Sequence, residues 1–366
     1  MNGMWDPAGR AQARKKPPPG RGYTGRVTRA DHNPHRRRLY LPILQTTEDG
    51  SIPSGEASPG GDIGQAYMGR SVGCAQTARP ARRPEWLKVK IRTGPNYAEL
   101  KGIMRGLDLH TVCEEAGCPN IYECWEEREA TFLILGDKCT RRCGFCDVMT
   151  ARPDPVEADE PLRVASAVQA MGLRYVVLTS VARDDLPDGG ASVWAACVRA
   201  IRDAVPGCGI EVLPPDFKGD ERAIATVMEA EPDVFAHNLE TVRRLHARIR
   251  PAFSYDRSLE VLRAARRIRP NQVTKSNLIL GMGERRDEVT GSMRDLAATG
   301  CDLLTMGQYL QPTSFHLPVD RWVPPEEFER YATLGREMGF THVEAGPLVR
   351  SSYHAGRQLA RALARA

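Results

Sequence analysis

No apolar run in this 366-residue chain approaches the roughly 18 residues of a membrane-crossing helix. Near the start the longest is "LYLPIL", shorter than the core of about 7–15 residues that a secretory signal needs. A membrane-spanning protein and a secreted one are therefore not expected. Ten cysteines are too few for a disulfide scaffold, and six of them fall between positions 113 and 146. Such clustering without a secretory signal points to metal binding in a reducing, cytoplasmic setting. The glycine fingerprint of a dinucleotide site is missing as well. The folded part also lacks a charge excess. Residues 1–80 hold 12 Lys+Arg and 6 Asp+Glu, and the remainder holds 39 and 40, so the net charge of +5 sits in the N-terminal stretch. Nucleic-acid binding would rest on that stretch alone, and no nucleic-acid partner is expected.

Residues 1–83 are rich in Arg, Pro and Gly ("KKPPPGRGYTGR", "SIPSGEASPGG") and show no hydrophobic period, which reads as a disordered basic tail. Its first 40 residues carry 10 basic and 2 acidic side chains, as a mitochondrial transit peptide would. Pro17, Pro18 and Pro19 break the amphipathic helix such a peptide requires. A non-functional extension is the expectation, with Met68 as a candidate start.

From Pro84 onward the pattern is globular. Buried strands are expected at 131–136, 174–181, 209–214, 233–238, 273–281 and 302–310. Helical patterns alternate with them at 191–204, 221–230, 241–248, 256–268 and 285–298, and a last helix is expected at 354–365. Alternation implies a parallel sheet. The expected fold is α/β: a partial (β/α)6 barrel over 131–320, an N-terminal extension over 84–130 and a C-terminal extension over 321–366. In such barrels chemistry gathers where strands end. The polar stretches "CTRRCGFC", "RDDLPDGG", "PDFKG" and "HNLE" all follow strands.

Two cysteine triplets flank the first strand. Cys113, Cys118 and Cys124 have the spacing Cys-x4-Cys-x5-Cys, and Cys139, Cys143 and Cys146 have Cys-x3-Cys-x2-Cys. Six thiolates are too many for one tetrahedral zinc, whereas thiolates also suit iron–sulfur clusters. Three thiolates on a 4Fe–4S cube leave one iron open to bind a ligand. The second triplet, with Phe145 as its aromatic, resembles the motif of radical S-adenosylmethionine (SAM) enzymes. "TVCEEAGCPNIYECW" ahead of "CTRRCGFCDV" narrows the resemblance to the lipoyl synthase family. So do "TSVARDDLPDGGAS", "EVLPPDF", "FAHNLETV", "KSNLILGMGE", "TMGQYLQPTSFHLPV" and "GPLVRSSYHA". Ala182 and Ala236 stand where that family more often has a polar residue, and Asn277 where it often has Gly.

The resemblance implies a sulfurtransferase that inserts two sulfurs, at carbons six and eight, into an octanoyl chain amide-linked to a carrier lysine. Unactivated C–H bonds have no acidic proton, so the chemistry needs a carbon radical. By resemblance Cys139, Cys143 and Cys146 hold the cluster that binds and cleaves SAM. Cys113, Cys118 and Cys124 hold an auxiliary 4Fe–4S cluster that gives up its sulfides. Its fourth ligand is the second serine of Arg350-Ser351-Ser352-Tyr353, hence Ser352. Neighbours in an extended segment face opposite ways, so only one serine is expected to serve. The implied partners are an octanoylated carrier, either the glycine cleavage H protein or the acyltransferase subunits of 2-oxoacid dehydrogenases, and a reduced flavodoxin or ferredoxin.

Several residues carry weaker expectations. Asp184 and Asp185, just past the second strand, either meet the SAM amine or ribose or solvate a turn. His237, Asn238 and Glu240 end the fourth strand and either line the cavity or make structural hydrogen bonds. Lys275, inside a strand, can reach a carboxylate or a phosphate. Arg141 and Arg142 either tune the cluster or face solvent. Arg243, Arg244, Arg248 and Arg250 either dock an acidic carrier or form a solvated face. Cys197, Cys208 and Cys301 read as small buried hydrophobes. Alternatives remain at this point: a sulfur-inserting radical SAM enzyme of the biotin synthase type, or a non-catalytic iron–sulfur electron carrier.

Overall fold

The computed structural model describes residues 83–88, 94–106, 111 and 118–364. The expectations placed on the N-terminal tail and on Cys113 lie outside the described residues. Seven parallel strands form one sheet in sequence order. They are β1 (Glu129–Ile134), β2 (Tyr175–Ser180), β3 (Gly209–Leu213), β4 (Val234–Ala236), β5 (Val273–Leu280), β6 (Leu303–Gln308) and β7 (His342–Ala345). All six expected strands are present. "HVEA" adds a seventh that its length and charge concealed. Fully buried runs such as "TFLI" and "YVVL" suit a parallel sheet covered by helices.

Helices alternate with the strands. Helices α1 (Pro95–Gly106) and α2 (Ile121–Glu126) precede β1, and α3 (Glu160–Ala170) follows it. Then come α4 (Ala191–Ala204), α5 (Glu221–Met228), α6 (Arg243–Ile249), α7 (Tyr255–Ile268), α8 (Arg286–Ala297), α9 (Pro325–Glu337) and α10 (Ala355–Leu363). Asp220 caps α5 by accepting from the Arg222 N–H at 2.9 Å, and Ser254 caps α7 by accepting from Arg257. Trp194 and Ile201 of α4 and Val168 of α3 bury their faces against Phe132, Ile134, Val176 and Leu178. No helix among the described residues is long and apolar enough to cross a membrane.

The barrel interior is filled rather than hollow. Lys275 donates to both Glu211 oxygens at 2.9 and 3.0 Å, and Tyr175 donates to Glu211 at 3.3 Å. Removing one partner of such a buried pair typically costs about 3–5 kcal/mol. Below the pair, Ala355, Leu359 and Ala362 of α10 pack on Tyr175, Val177, Val234 and Leu303. The C-terminal helix thus plugs the end where the strands begin, leaving their C-terminal ends for chemistry.

β1 and β7 form no ladder with each other, so the barrel is open along one seam. α2 packs beside β1, and the 346–354 segment leaves β7 to meet it. Asn120 Nδ2 donates to the Leu348 carbonyl at 2.7 Å. The segment crosses β6 at Gly307, where a Cβ would sit 2.0 Å from the Val349 carbonyl oxygen. Only glycine admits that approach.

Candidate functional site

The "CTRRCGFC" loop sits over the strand ends. Two short parallel strands, Lys138–Cys139 and Met149–Thr150, pinch its base. Cys139 Sγ accepts backbone N–H bonds from Arg141 (3.4 Å) and Ala182 (3.3 Å). Gly144 donates to Ile249 O at 2.8 Å and accepts from Leu317 N at 3.1 Å, fixing the loop between α6 and the 311–318 loop. Burial pushes the Cys143 thiol up and the Cys146 thiol up to about 12, and the three cysteines lie within electrostatic reach of one another. Buried neutral thiols of this kind become ligands when a metal displaces their protons. Phe145 packs into the core around β5 and β6.

A buried charge network holds the loop from beneath. Arg141 donates through Nε and Nη2 to the two Asp184 oxygens, both at 2.7 Å, and through Nη1 to Asp216 at 2.6 Å. Arg257 donates to the other Asp216 oxygen at 2.5 Å. Arg141 and Arg250 both lie on the Phe253 ring, at 4.3 and 3.8 Å from its centroid. Asp184 is therefore the partner of Arg141, which holds its carboxyl below the usual range. Asp185 is paired with Arg183 in the same way. Of the two arginines left open by the sequence, Arg141 is buried in this network and Arg142 is exposed.

Beside the loop lies a set of buried polar atoms that make no hydrogen bond: His237 Nε2, Asn238 Oδ1, Arg250 Nε, His246 Nε2 and Thr241 Oγ1. Buried polar groups are nearly always paired, so this set suits a polar ligand. Glu240 adds a backbone in the left-handed region, with φ of 69°. Its carboxylate accepts from Asn238 at 3.0 Å and Asn277 at 2.8 Å. Burial raises the Glu240 carboxyl and lowers His237 to about 4. The structure thus brings His237, Asn238 and Glu240 together at the barrel mouth. Lys275 instead reaches the Glu211 carboxylate deep in the barrel.

One expectation is corrected. Arg250 is not part of a docking face: it is buried, donates to the Asn238 carbonyl at 2.7 Å and reaches Cys143. It ends a helix whose residues 243, 244 and 248 face out, so the charge run concealed an inward arginine. Arg243 and Arg244 are paired locally with Asp256 and Glu288, at 2.8 and 2.6 Å. Sequence reasoning also missed Asp216, Phe253 and His246. Only Asp216 had a signal, its place in "PDFKG" after β3. The departures at Ala182 and Asn277 now have an account. Ala182 acts through its backbone, donating to Cys139 and accepting from Thr140 at 2.9 Å. Asn277 bridges Glu240 and Thr305, whose hydroxyl donates to it at 2.8 Å.

A second site lies on the seam. Cys118, Cys124, Asn120, Thr131, Arg350 and Ser352 line one small cavity there. Burial pushes the Cys118 thiol up, and the Arg350 guanidinium is close enough to oppose it. The serines do not lie in an extended segment as expected. They sit in a turn closed by the Tyr353 N–H donating to Arg350 O at 3.0 Å. Ser352 lines the cavity all the same, because the turn aims it there. Cys197, Cys208 and Cys301 are buried, as expected.

A parallel partial barrel with three cysteines on one loop at its mouth, beside unpartnered polar groups, defines a radical SAM protein. The family model described as the radical SAM superfamily matches residues 133–296. A second, described as the N-terminal domain of lipoyl synthase of that family, matches residues 65–118, so it begins inside the stretch read as a tail. A lipoyl synthase of Rubrobacter xylanophilus is 61% identical over 276 residues, covering 75% of this chain and 86% of that one. One of Nocardia farcinica is 59% identical, covering 77% and 80%. One of Mycobacterium sp. strain KMS is 55% identical over 319 residues, covering 87% and 96%. The chain belongs to the lipoyl synthase family of the radical SAM superfamily, and it is an enzyme, a sulfurtransferase.

Proposed function

We propose that this enzyme inserts sulfur at carbons six and eight of an octanoyl chain carried on a protein lysine, using two 4Fe–4S clusters that it holds at separate sites. The observation that supports this most directly is the meeting of Cys118, Cys124 and Ser352 in one cavity, from parts of the chain more than 200 residues apart. In this reading residues 84–130 supply auxiliary ligands, residues 131–320 the barrel and residues 321–366 the closing extension. Cys139, Cys143 and Cys146 hold the radical cluster. Cys113, Cys118, Cys124 and Ser352 hold the auxiliary one. When bound, the clusters and SAM supply a carbon-centred radical and the sulfur.

The residues around these groups have their own tasks. The N–H groups of Arg141 and Ala182 orient Cys139. Arg141, Asp184 and Asp216 keep the loop rigid. His237, Asn238 and Glu240, with Arg250 and Asn277 behind them, present donors and acceptors to the polar end of SAM. The α10 plug and the filled interior close the barrel to water from the end opposite the mouth, which helps keep a radical site dry. The carriers are the octanoylated glycine cleavage H protein and the acyltransferase subunits of 2-oxoacid dehydrogenases, with reduced flavodoxin or ferredoxin as electron source.

The test is anaerobic reconstitution followed by turnover with SAM, dithionite and an octanoylated carrier. About eight irons per chain and a carrier mass gain of two sulfurs are expected. In the Cys113/Cys118/Cys124→Ala variant about four irons should remain, 5′-deoxyadenosine should still form, and no sulfur should enter the chain. Thiolated product from that variant would remove the auxiliary role. In the Cys139/Cys143/Cys146→Ala variant both products should vanish.

A further inference from the structure

The helix that carries Cys124 and the turn that carries Ser352 are joined by side chains that bind neither cysteine nor serine. Glu123 and Glu127 stand four apart, so both carboxylates lie on one face of α2 and its C-terminal cap. Tyr353 Oη donates to Glu123 Oε2 at 3.1 Å, and His354 Nε2 lies 3.2 Å from Glu123 Oε1. His354 Nδ1 lies 3.0 Å from Glu127 Oε2, and Arg357 pairs with the other Glu127 oxygen. The Tyr353 and His354 rings pack at 4.0 Å. His354 is buried and holds a left-handed backbone, with φ of 48° and ψ of 42°, directly before α10. An unbranched L-residue rarely adopts that conformation unless its surroundings impose it.

Glu123, Glu127 and His354 are close enough together to suggest a cation site. Tyr353 and Arg357 already occupy carboxylate oxygens there, so a cation would have to displace them. The geometry of the group has a different use. The contacts span about 230 positions of sequence and cross the seam between β1 and β7, where no strand pairing holds the barrel shut.

We infer that Glu123 and Glu127 are positioning residues that clamp the Ser352 turn to the Cys124 helix across the open seam. The inference rests on the auxiliary-site reading above and adds a device that keeps the serine in place when it is not bound to metal. An oxygen ligand leaves iron more readily than a thiolate does. Because the clamp makes no use of the serine hydroxyl, departure of that ligand leaves its segment docked. The hydroxyl then stays at high effective concentration beside the cavity.

Amide hydrogen exchange of the full-length apoprotein tests this without any cluster. In Glu123→Gln/Glu127→Gln, exchange over residues 348–356 should rise roughly tenfold, the factor for one lost charge-assisted bond. Strands β2 to β6 should be unchanged. Arg267→Ala, which breaks an exposed pair between α7 and Glu221 far from the clamp, should not move the turn. Tyr353→Phe removes a single hydroxyl and gives a smaller rise, and it carries the comparison if the double variant does not fold. Unchanged exchange in the turn, or an equal rise throughout the barrel, overturns the clamp. After reconstitution in the Cys139/Cys143/Cys146→Ala background, a chelator should strip auxiliary iron severalfold faster from the double variant. Faster exchange with unchanged iron release would overturn the link to Ser352. An absence of auxiliary iron in the parent background would instead overturn the auxiliary-site reading itself.

Discussion

The two cysteine sites of this enzyme are built on opposite plans. The loop at the barrel mouth carries its three cysteines within eight residues, and its supports come from strand ends already fixed by the parallel sheet. The site on the seam draws on segments near both ends of the barrel and exists only once the seam is bridged. A local site supported by a buried charge network is rigid before any ligand arrives. A site assembled by closure depends on the elements that close it. On the proposed function, radical chemistry calls for the first property, and an auxiliary cluster that gives up its sulfides would call for the second.

The contrast makes graded predictions. Ser352→Ala should abolish nearly all lipoyl product while 5′-deoxyadenosine formation persists, and Ser351→Ala should be mild, as read by product mass and nucleoside yield. The reverse ranking would show that the turn aims the other serine. Asp216→Asn should strike the other site. It leaves Arg141 and Arg257 facing a neutral partner in a fully buried position, which costs about 3 kcal/mol. SAM cleavage and product should then fall together, and the apoprotein should unfold at lower denaturant. Product loss alone would mean that the network does not serve the mouth. Gly307→Ala should be intermediate. The added methyl pushes the Val349 carbonyl and the turn beyond it, so product should drop several-fold with SAM cleavage intact.

The smallest effect is a pH slope. Burial holds His237 and His246 near 4, well below the usual histidine value, so the unfolded chain binds more protons than the folded one between about 6.5 and 4. These histidines therefore make the apoprotein less stable as pH falls from 7 to 5. Buried Glu211 and Glu240, raised by desolvation, act in the opposite direction. The measurement is thus the difference between parent and His246→Leu, whose stability should decline less on acidification, by about 1 kcal/mol. Equal slopes would place His246 in water.

Much of this molecule can be read without coordinates. Strands such as "RYVVLTSV" are continuous apolar runs bounded by polar turns, and a buried parallel strand needs nothing else. Cys139, Cys143 and Cys146 announce a candidate site through spacing alone, because eight residues place three thiols on one short loop. Long-range pairing leaves no local trace. Arg250 and Arg248 look alike in a basic run, yet helix periodicity and a neighbouring aromatic turn one inward and leave the other in solvent. Asp184 reads equally as a ligand-binding carboxylate or a turn residue, and nothing near it in the chain announces that Arg141 lies against it. "HVEA" has too few apolar residues to announce a strand, and its pairing with β6 supplies what its composition lacks. The sequence by itself determined the barrel, its active end and both cysteine triplets, since these follow from period and spacing along the chain. Only the tertiary structure decided which charges pair, which serine faces the cavity and what holds the seam. Those depend on contacts between residues up to 231 positions apart, whose energies arise only after the chain has closed.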